Sequence, residues 1–406
     1  MQTKISITFC SCGGPIGFPI IARKKQTVSG LRPGSRKDFP AVESVMPNAD
    51  RLPKDDGVVT ENYVKLSRGG IRYLEAGPVD GPLLIFIHGW PELAISYRHQ
   101  LPVFGQLGFR AIAPDMPGFG GSAVHQKHED YALEKLNRDM AEFVDALGAG
   151  QAVWIGHDWG SLVVWSFAAH YPEKCSAVAS LCVPYRTVEL GVDHLITTVD
   201  RSVYDPQEHP AGPWDYMLFY QENFDRARKV FERDTEAFFR FMFGKGDSKG
   251  FDQPTITAGV RKRGGWFGND ASPPEAARDD AIVDQNALSA YVAAYRRSGF
   301  FGADSYYMNH EANAEYASRS VNGGRLDMPV LFVSADYDYW CDTVRNTVFG
   351  EEMRRLCSDL TAFRVPAGHW IMQEEPTKVN SALCHWLATR AKVWPDLPAP
   401  DWKPID

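Results

Sequence analysis

Short β-branched runs alternate with helical patterns along most of this chain of 406 residues, beginning near Tyr63. Eight runs predict strands, at residues 63–66, 71–75, 83–88, 110–114, 152–156, 177–182, 330–334 and 361–365. Between the fourth and fifth runs, apolar residues from Leu133 to Leu147 recur three, four and seven apart and Gly148 follows them, which predicts an amphipathic helix. Strands that alternate with helices indicate an α/β fold with a mainly parallel eight-stranded sheet.

The pattern changes over residues 184–325, where strand signals end and aromatic residues and breakers such as Pro210 and Gly299 become frequent. A polar, glycine-rich stretch at 264–274 predicts a loop within this segment. We therefore predict a mostly helical lid domain, 184–325, inserted between strands six and seven. It would separate a first core part, 58–183, from a second, 326–406, which ends in a proline-rich tail.

The charge distribution separates the beginning of the chain from the rest. Residues 1–37 hold seven basic and no acidic side chains, although the whole chain carries a net charge of -8. We expect residues 1–57 to be a disordered basic extension, with a mitochondrial presequence as the alternative, although Pro15 and Pro19 interrupt any long helix there. The acidic remainder argues against nucleic acid as a partner, and no stretch is apolar enough to predict a membrane span.

The seven cysteines have no repeated spacing that would suggest a disulfide framework or a zinc site. We therefore expect no bound metal and a reducing compartment, for which the cytoplasm is the simplest choice.

The segment Gly156-His157-Asp158-Trp159-Gly160 follows the fifth predicted strand and precedes a helical pattern. A residue raised on a sharp strand-to-helix turn needs small neighbours, which the two glycines supply. Here an aspartate stands where such a nucleophile elbow usually has serine. A carboxylate is ionised already and can attack an sp3 carbon to form an ester, so Asp158 is our candidate nucleophile. The alternative is an ordinary N-cap aspartate.

A second motif, His88-Gly89-Trp90-Pro91-Glu92, closes the third predicted strand. The backbone N–H of Trp90, together with that of Trp159, could form an oxyanion hole, with the rest of the motif shaping the turn. A tight turn after a core strand is the simpler reading and is compatible with this role. A proline at this point also allows a cis Trp90-Pro91 bond.

The base and its orienting acid are expected after the last two strands. His369, in Gly368-His369-Trp370, follows the eighth strand and can deprotonate water near neutral pH. Asp336 and Asp338 both follow the seventh strand, and spacing alone does not choose between them. Nucleophile, acid and histidine then occur in the order expected for a catalytic triad on this kind of sheet.

Taken together, these motifs resemble the soluble epoxide hydrolase family, which has the α/β-hydrolase fold. The resemblance spans roughly residues 62–387 and includes, besides the segments quoted above, Tyr97-Arg98-His99-Gln100 and Ala113-Pro114-Asp115-Met116-Pro117-Gly118. It implies that Asp338, three residues after Ala335, orients His369. It also implies that two lid tyrosines protonate the epoxide oxygen, here Tyr216 and Tyr307, with Tyr220 and Tyr306 as near competitors.

The function that the resemblance implies is hydrolysis of a small-molecule epoxide by water to a vicinal diol, through an ester on Asp158 and without a cofactor. A haloalkane or haloacid dehalogenase on the same scaffold is the nearest alternative, because it also uses an aspartate nucleophile. A non-catalytic receptor is a more distant alternative, since such a protein would be expected to have lost part of the triad.

Overall fold

A computed structural model describes residues 58–251, 253–269 and 272–396, so the predicted N-terminal extension and the end of the predicted tail lie outside the described residues. Eight strands form one sheet: β1 Thr60–Leu66, β2 Gly69–Ala76, β3 Leu83–Ile87, β4 Arg110–Pro114, β5 Ala152–His157, β6 Cys175–Leu181, β7 Leu326–Ala335 and β8 Cys357–Val365. Their order is β1-β2-β4-β3-β5-β6-β7-β8. The pairs β1/β2 and β2/β4 are antiparallel, and all the others are parallel.

The central strands explain why the sheet is mainly parallel. Every residue of β3 and β5 is buried, as expected for strands covered by helices on both faces. The carboxyl ends of β3, β5, β7 and β8 reach one edge of the sheet, and the loops that follow these strands carry the candidate site residues of the core. The predicted α/β-hydrolase fold is confirmed.

The described residues also form twelve α-helices. They are α1 Leu101–Gln106, α2 Leu133–Ala146, α3 Trp159–His170, α4 Val192–Thr197, α5 Asp215–Arg233 with a break at Asn223, α6 Thr235–Met242, α7 Gln285–Ser298, α8 Phe301–Asp304, α9 His310–Ser318, α10 Glu351–Leu356, α11 Ile371–Glu374 and α12 Pro376–Trp386. Short 3-10 turns, including Gly212–Trp214, Ile256–Gly259 and Ser305–Met308, connect several of them.

Strand positions agree with the sequence prediction, but some ends differ. The first strand begins at Thr60 and the last at Cys357, each a few residues before the predicted start. The added residues are largely exposed or only partly buried, because these strands lie at the two edges of the sheet. Periodic hydrophobicity therefore does not mark their ends.

Between β6 and β7 the described residues form helices α4 to α9 and turns, with no strand, which agrees with a helical insertion at this point. None of the helices in the described part of the chain has the length and apolar character needed to cross a lipid bilayer.

Candidate active site

The turn between β5 and α3 raises Asp158 above the edge of the sheet. Asp158 has φ 51° and ψ -123°, an unusual conformation for a residue with a Cβ atom. A Cβ atom on Gly160 would lie 2.0 Å from the carbonyl oxygen of Ile87, and one on Gly156 would lie 2.4 Å from the carbonyl oxygen of Gly160. The two glycines thus let α3 begin directly against β3 and β5, which forms the sharp elbow.

The carboxylate of Asp158 has a different partner at each oxygen. Oδ1 accepts a hydrogen bond of 2.7 Å from the backbone N–H of Trp90, and Oδ2 lies 3.5 Å from Nε2 of His369. The Trp90-Pro91 peptide bond is cis. Trp159 is the buried first residue of α3, directly after Asp158. One oxygen is therefore held by the predicted oxyanion loop, residues 88–92, and the other faces the predicted base, His369.

The other residues of the His88 motif shape this loop. Nε2 of His88 accepts from the backbone N–H of Met116 at 3.0 Å, and Nδ1 can then donate to the carbonyl oxygen of Gly89 at 2.9 Å. A Cβ atom on Gly89 would lie 2.4 Å from the side chain of Asp158. Only glycine lets the loop approach the carboxylate this closely.

His369 lies between two carboxylates. Its Nδ1 is 2.8 Å from Oδ2 of Asp338, whose Oδ1 accepts backbone N–H groups from Trp340 at 3.0 Å and Cys341 at 3.1 Å. Asp336 instead pairs with Arg364 at 2.9 Å. Of the two aspartates left open by spacing, the structure brings Asp338 to the histidine.

Charge within this buried group shifts the proton equilibria. Burial alone would lower the pKa of His369, but the carboxylates of Asp338 and Asp158 outweigh it and raise this pKa. Burial would raise the pKa of Asp338, yet His369 and the two backbone N–H groups lower it overall. The resting state therefore favours an imidazolium between two carboxylates.

Tyr216 and Tyr307 face Asp158 from the inserted segment. Both line the same cavity as the carboxylate, and their ring centroids are 5.4 Å apart at an interplanar angle of 73°. Burial raises the pKa of each phenol well above its ordinary value, and the charge of Asp158 adds to this. Both phenols thus keep the proton that an acid must donate.

The competing tyrosines point to other partners. The Tyr306 hydroxyl donates to the carbonyl oxygen of Pro117 at 3.0 Å, and the Tyr220 hydroxyl lies 3.5 Å from Oδ1 of Asp304. Neither residue lines the cavity that contains Asp158. Tyr220 instead supports Tyr307, since their rings stack with centroids 4.7 Å apart and an interplanar angle of 2°.

These groups meet in a cavity with mainly aromatic and aliphatic walls. Sequence reasoning missed most of its lining, because the residues come from separate loops and helices. The lining residues that it missed include Met242, Trp266, Trp340, Cys341 and Trp370. Such walls exclude water from the carboxylate and favour an apolar substrate.

A buried polar network supports the site from behind. Glu92 and His157 pair at 2.6 Å with no exposed side-chain surface, and Nε2 of His157 lies 2.7 Å from the backbone oxygen of His369. The backbone N–H of Gly89 at 3.1 Å and the side-chain amide of Gln373 at 3.1 Å donate to the same glutamate. The network links the elbow, the oxyanion loop and the loop that carries His369. The only sequence signal for it is that all three segments follow strands.

The loop that carries His369 is also tied to the inserted segment. Trp370 donates its indole N–H to the carbonyl oxygen of Met242 at 2.9 Å. Oε2 of Glu374 accepts from the backbone N–H groups of Gly368 at 2.8 Å and Gly246 at 3.3 Å. Core and inserted segment therefore share hydrogen bonds next to the base.

Two clusters have atoms of types that bind metals within 4.8 Å of one another: His157, Cys182 and His369, and Asp338, Cys341 and His369. Burial raises the pKa of both thiols well above its ordinary value, which disfavours the thiolate that a metal requires. The carboxylate and the imidazoles already form the hydrogen bonds described above. These atoms fit a proton-transfer site better than a metal centre.

Comparison with known proteins relates this arrangement to characterised sequences. A family model for the alpha/beta hydrolase fold matches residues 82–236. The chain is 31% identical to Epoxide hydrolase A of Mycobacterium tuberculosis over 82% of its own length and 98% of that protein. It is 32% identical to Bifunctional epoxide hydrolase 2 of Mus musculus over 84% of its length, but it spans only 58% of that longer protein.

A solved structure agrees with these relationships. The crystal structure of Epoxide Hydrolase A from Mycobacterium thermoresistibile superposes with a TM-score of 0.66 at 31% identity. The match covers 82% of this chain and 99% of that one, so it includes the sheet and the inserted helices together.

Proposed function

Since this chain belongs to the epoxide hydrolase family of the α/β-hydrolase fold, we propose that it opens a small-molecule epoxide with water to give a vicinal diol. The observation that carries the proposal is that Asp158 and two neighbouring phenols, Tyr216 and Tyr307, line one mainly apolar cavity. An epoxide needs this pair of functions, a nucleophile at carbon and an acid at oxygen.

In the first step, Oδ2 of Asp158 attacks an epoxide carbon and forms a C–O bond as the ring C–O bond breaks. Oδ1 stays against the N–H of Trp90 and becomes the ester carbonyl oxygen. Tyr216 and Tyr307 donate to the departing oxygen, because an alkoxide leaves poorly without a proton. The imidazolium proton of His369 restores the phenol, so the step ends with a hydroxy ester and a neutral imidazole.

The second step depends on the charge that the first step removes. Esterification of Asp158 neutralises one of the two carboxylates that raise the pKa of His369, so this pKa falls and the imidazole becomes a base. It takes a proton from water, which attacks the ester carbonyl, while Asp338 orients the ring. The N–H groups of Trp90 and Trp159 stabilise the oxyanion. One proton of the water ends on the second hydroxyl group of the diol. The other stays on His369, which restores the imidazolium beside the free carboxylate of Asp158.

Dehalogenation by the same nucleophile is the alternative candidate. A departing halide would need indole N–H donors directed at it. The indole N–H of Trp90 donates to Asp304 at 2.8 Å and is therefore engaged within the protein. The two phenols of Tyr216 and Tyr307 line the cavity beside Asp158 instead, which favours the epoxide reaction.

A single turnover in water enriched in heavy oxygen tests the covalent route. With enzyme in excess over epoxide, the first diol is expected to take its new oxygen from Asp158 and to remain unlabelled, while the label enters the peptide that contains Asp158. Heavy oxygen in the first diol itself would reject the ester and leave direct attack by water. The same reaction with Asp158→Asn is the control and should yield no diol.

A further inference from the structure

Asp304 places another buried carboxyl group next to Trp90, one of the residues that line the cavity. It ends α8, one turn before Tyr307, and its side chain is fully inaccessible to solvent. Oδ1 accepts the indole N–H of Trp90 at 2.8 Å and lies 3.5 Å from the hydroxyl of Tyr220. Oδ2 has no hydrogen-bond partner, and Asp304 forms no ion pair within the described part of the chain. A buried carboxyl oxygen without a hydrogen-bond partner lowers the stability of the fold. The presence of Asp304 at this position therefore needs an explanation other than stability.

Each donor to Asp304 supports one group of the proposed reaction. Trp90 offers its indole N–H to Asp304 on one side and its backbone N–H to Asp158 on the other. Tyr220 stacks face to face on Tyr307. A single carboxyl oxygen thus connects the oxyanion loop to the lid segment that carries a proposed acid.

Building on the function proposed above, we propose that Asp304 is a positioning residue for epoxide opening. By accepting from the indole of Trp90, Asp304 keeps the backbone N–H of Trp90 on the carboxylate of Asp158. Through Tyr220, it keeps the phenol of Tyr307 facing that carboxylate. Asp304 itself does not touch the reacting atoms.

The electrostatics of Asp304 agree with this role. Burial raises the pKa of its carboxyl group well above the ordinary value, and the hydrogen bond from Trp90 only partly opposes the shift. The shift favours the uncharged acid, whose carbonyl oxygen can still accept the indole N–H of Trp90.

Four variants test the proposal through the rate of ester formation, followed by tryptophan fluorescence in a single turnover. Asp304→Leu removes the acceptor, Asp304→Asn keeps it, and Trp90→Phe removes the indole donor but keeps the backbone N–H. Asp139→Leu is the matched control, because Asp139 is also a buried carboxyl group but pairs with Arg68 away from the cavity.

We expect Asp304→Leu to slow ester formation about tenfold or more and Asp304→Asn by less than about threefold. Asp139→Leu should lower the melting temperature with the rate unchanged. Combining Asp304→Leu with Trp90→Phe should be no slower than the slower single variant, because both remove one interaction. A wild-type rate in Asp304→Leu, or effects that multiply in the double variant, would overturn the proposal.

A second measurement does not depend on catalysis. The indole N–H resonance of Trp90, identified as the signal missing in Trp90→Phe, should move and exchange faster in Asp304→Leu but not in Asp139→Leu. An unmoved resonance would overturn the proposed contact. If the wild-type protein forms no diol, the proposed function fails, while this resonance still decides whether Asp304 holds Trp90.

Discussion

Oε2 of Glu92 lies 2.6 Å from Nδ1 of His157, in a pair whose side chains are completely buried behind His369. Both ring nitrogens of His157 face oxygen atoms, since Nε2 is directed at the carbonyl oxygen of His369. Burial alone would raise the pKa of Glu92, but His157 and the backbone N–H of Gly89 lower it overall, so the carboxylate form is favoured. This buried contact holds the ring of His157 against the loop that carries the proposed base, His369.

Replacing Glu92 by Gln should therefore destabilise the fold and slow the second step. The substitution weakens a buried hydrogen bond, at a cost of about 1 to 3 kcal/mol, and the ring of His157 then holds the carbonyl oxygen of His369 less firmly. Denaturant unfolding and the rate of ester hydrolysis measure the two effects. Glu208→Gln is the control, because Glu208 pairs with Lys262 on the exposed surface and should change neither quantity. Equal losses in both variants would contradict this role.

The two lid phenols predict a specific defect in ester formation. Tyr216→Phe and Tyr307→Phe should each slow this step by about a hundredfold or more, because a positioned acid contributes on this scale. Tyr306→Phe removes a hydroxyl that bonds Pro117 outside the cavity, and it should leave the step unchanged. Single-turnover rates compare the three variants. Similar rates in Tyr306→Phe and Tyr307→Phe would assign the phenols a structural role.

Removing the charge of the nucleophile should lower the pKa of His369. Asp158→Asn imitates the neutral ester, so one of the two carboxylates that raise this pKa is absent. Titration of the imidazole by NMR should show a lower midpoint than in the wild type. Because the folded pKa of His369 is raised above about 6.5, its charge stabilises the fold fully below that pH and loses the effect as pH rises through the folded value. The alkaline loss of stability should thus be smaller in Asp158→Asn, and an unchanged midpoint would argue against charge-controlled base activity.

The elbow predicts a large difference between two glycines. Gly160→Ala places a methyl group 2.0 Å from the carbonyl oxygen of Ile87, so α3 must move away from the sheet. We expect a loss of about 2 kcal/mol or more in the free energy of unfolding, with reduced diol formation. Gly150→Ala meets no atom within 4 Å and should change neither. Urea unfolding of both variants checks this, and a stable, active Gly160→Ala protein would show that the close approach is dispensable.

Matched substrates should separate epoxide opening from dehalogenation. For an epoxide and the chloroalkane of the same carbon skeleton, we expect diol formation from the first and no halide release from the second. The reason is that the indole N–H of Trp90 already donates to Asp304, whereas two phenols are available to an epoxide oxygen. Chloride release at a rate comparable with diol formation would favour the alternative reaction.

The core of the site could be predicted from sequence because its residues follow strands. Asp158, His369 and the motif around Trp90 lie at carboxyl ends of strands, so strand prediction alone brings them to one edge. Asp336 and Asp338 are equivalent by that reasoning, and only the direction of each side chain separates them.

The rest of the site depends on packing that has no local signal. Asp304 reaches Trp90 across 214 positions of the sequence, and nothing near either residue indicates the contact. Trp266 and Trp340 join the cavity from loops whose conformations the sequence pattern does not encode. Side chains that meet through long loops are determined by the folded shape rather than by periodicity.

The hydrogen bonds from Trp370 to Met242 and from Gly246 to Glu374 bear on how a ligand reaches the cavity. If the inserted segment moved away from the core as a rigid body, these bonds would break and the loop that carries His369 would lose their support. Ligand passage that leaves these two hydrogen bonds intact would preserve the position of His369 throughout a catalytic cycle.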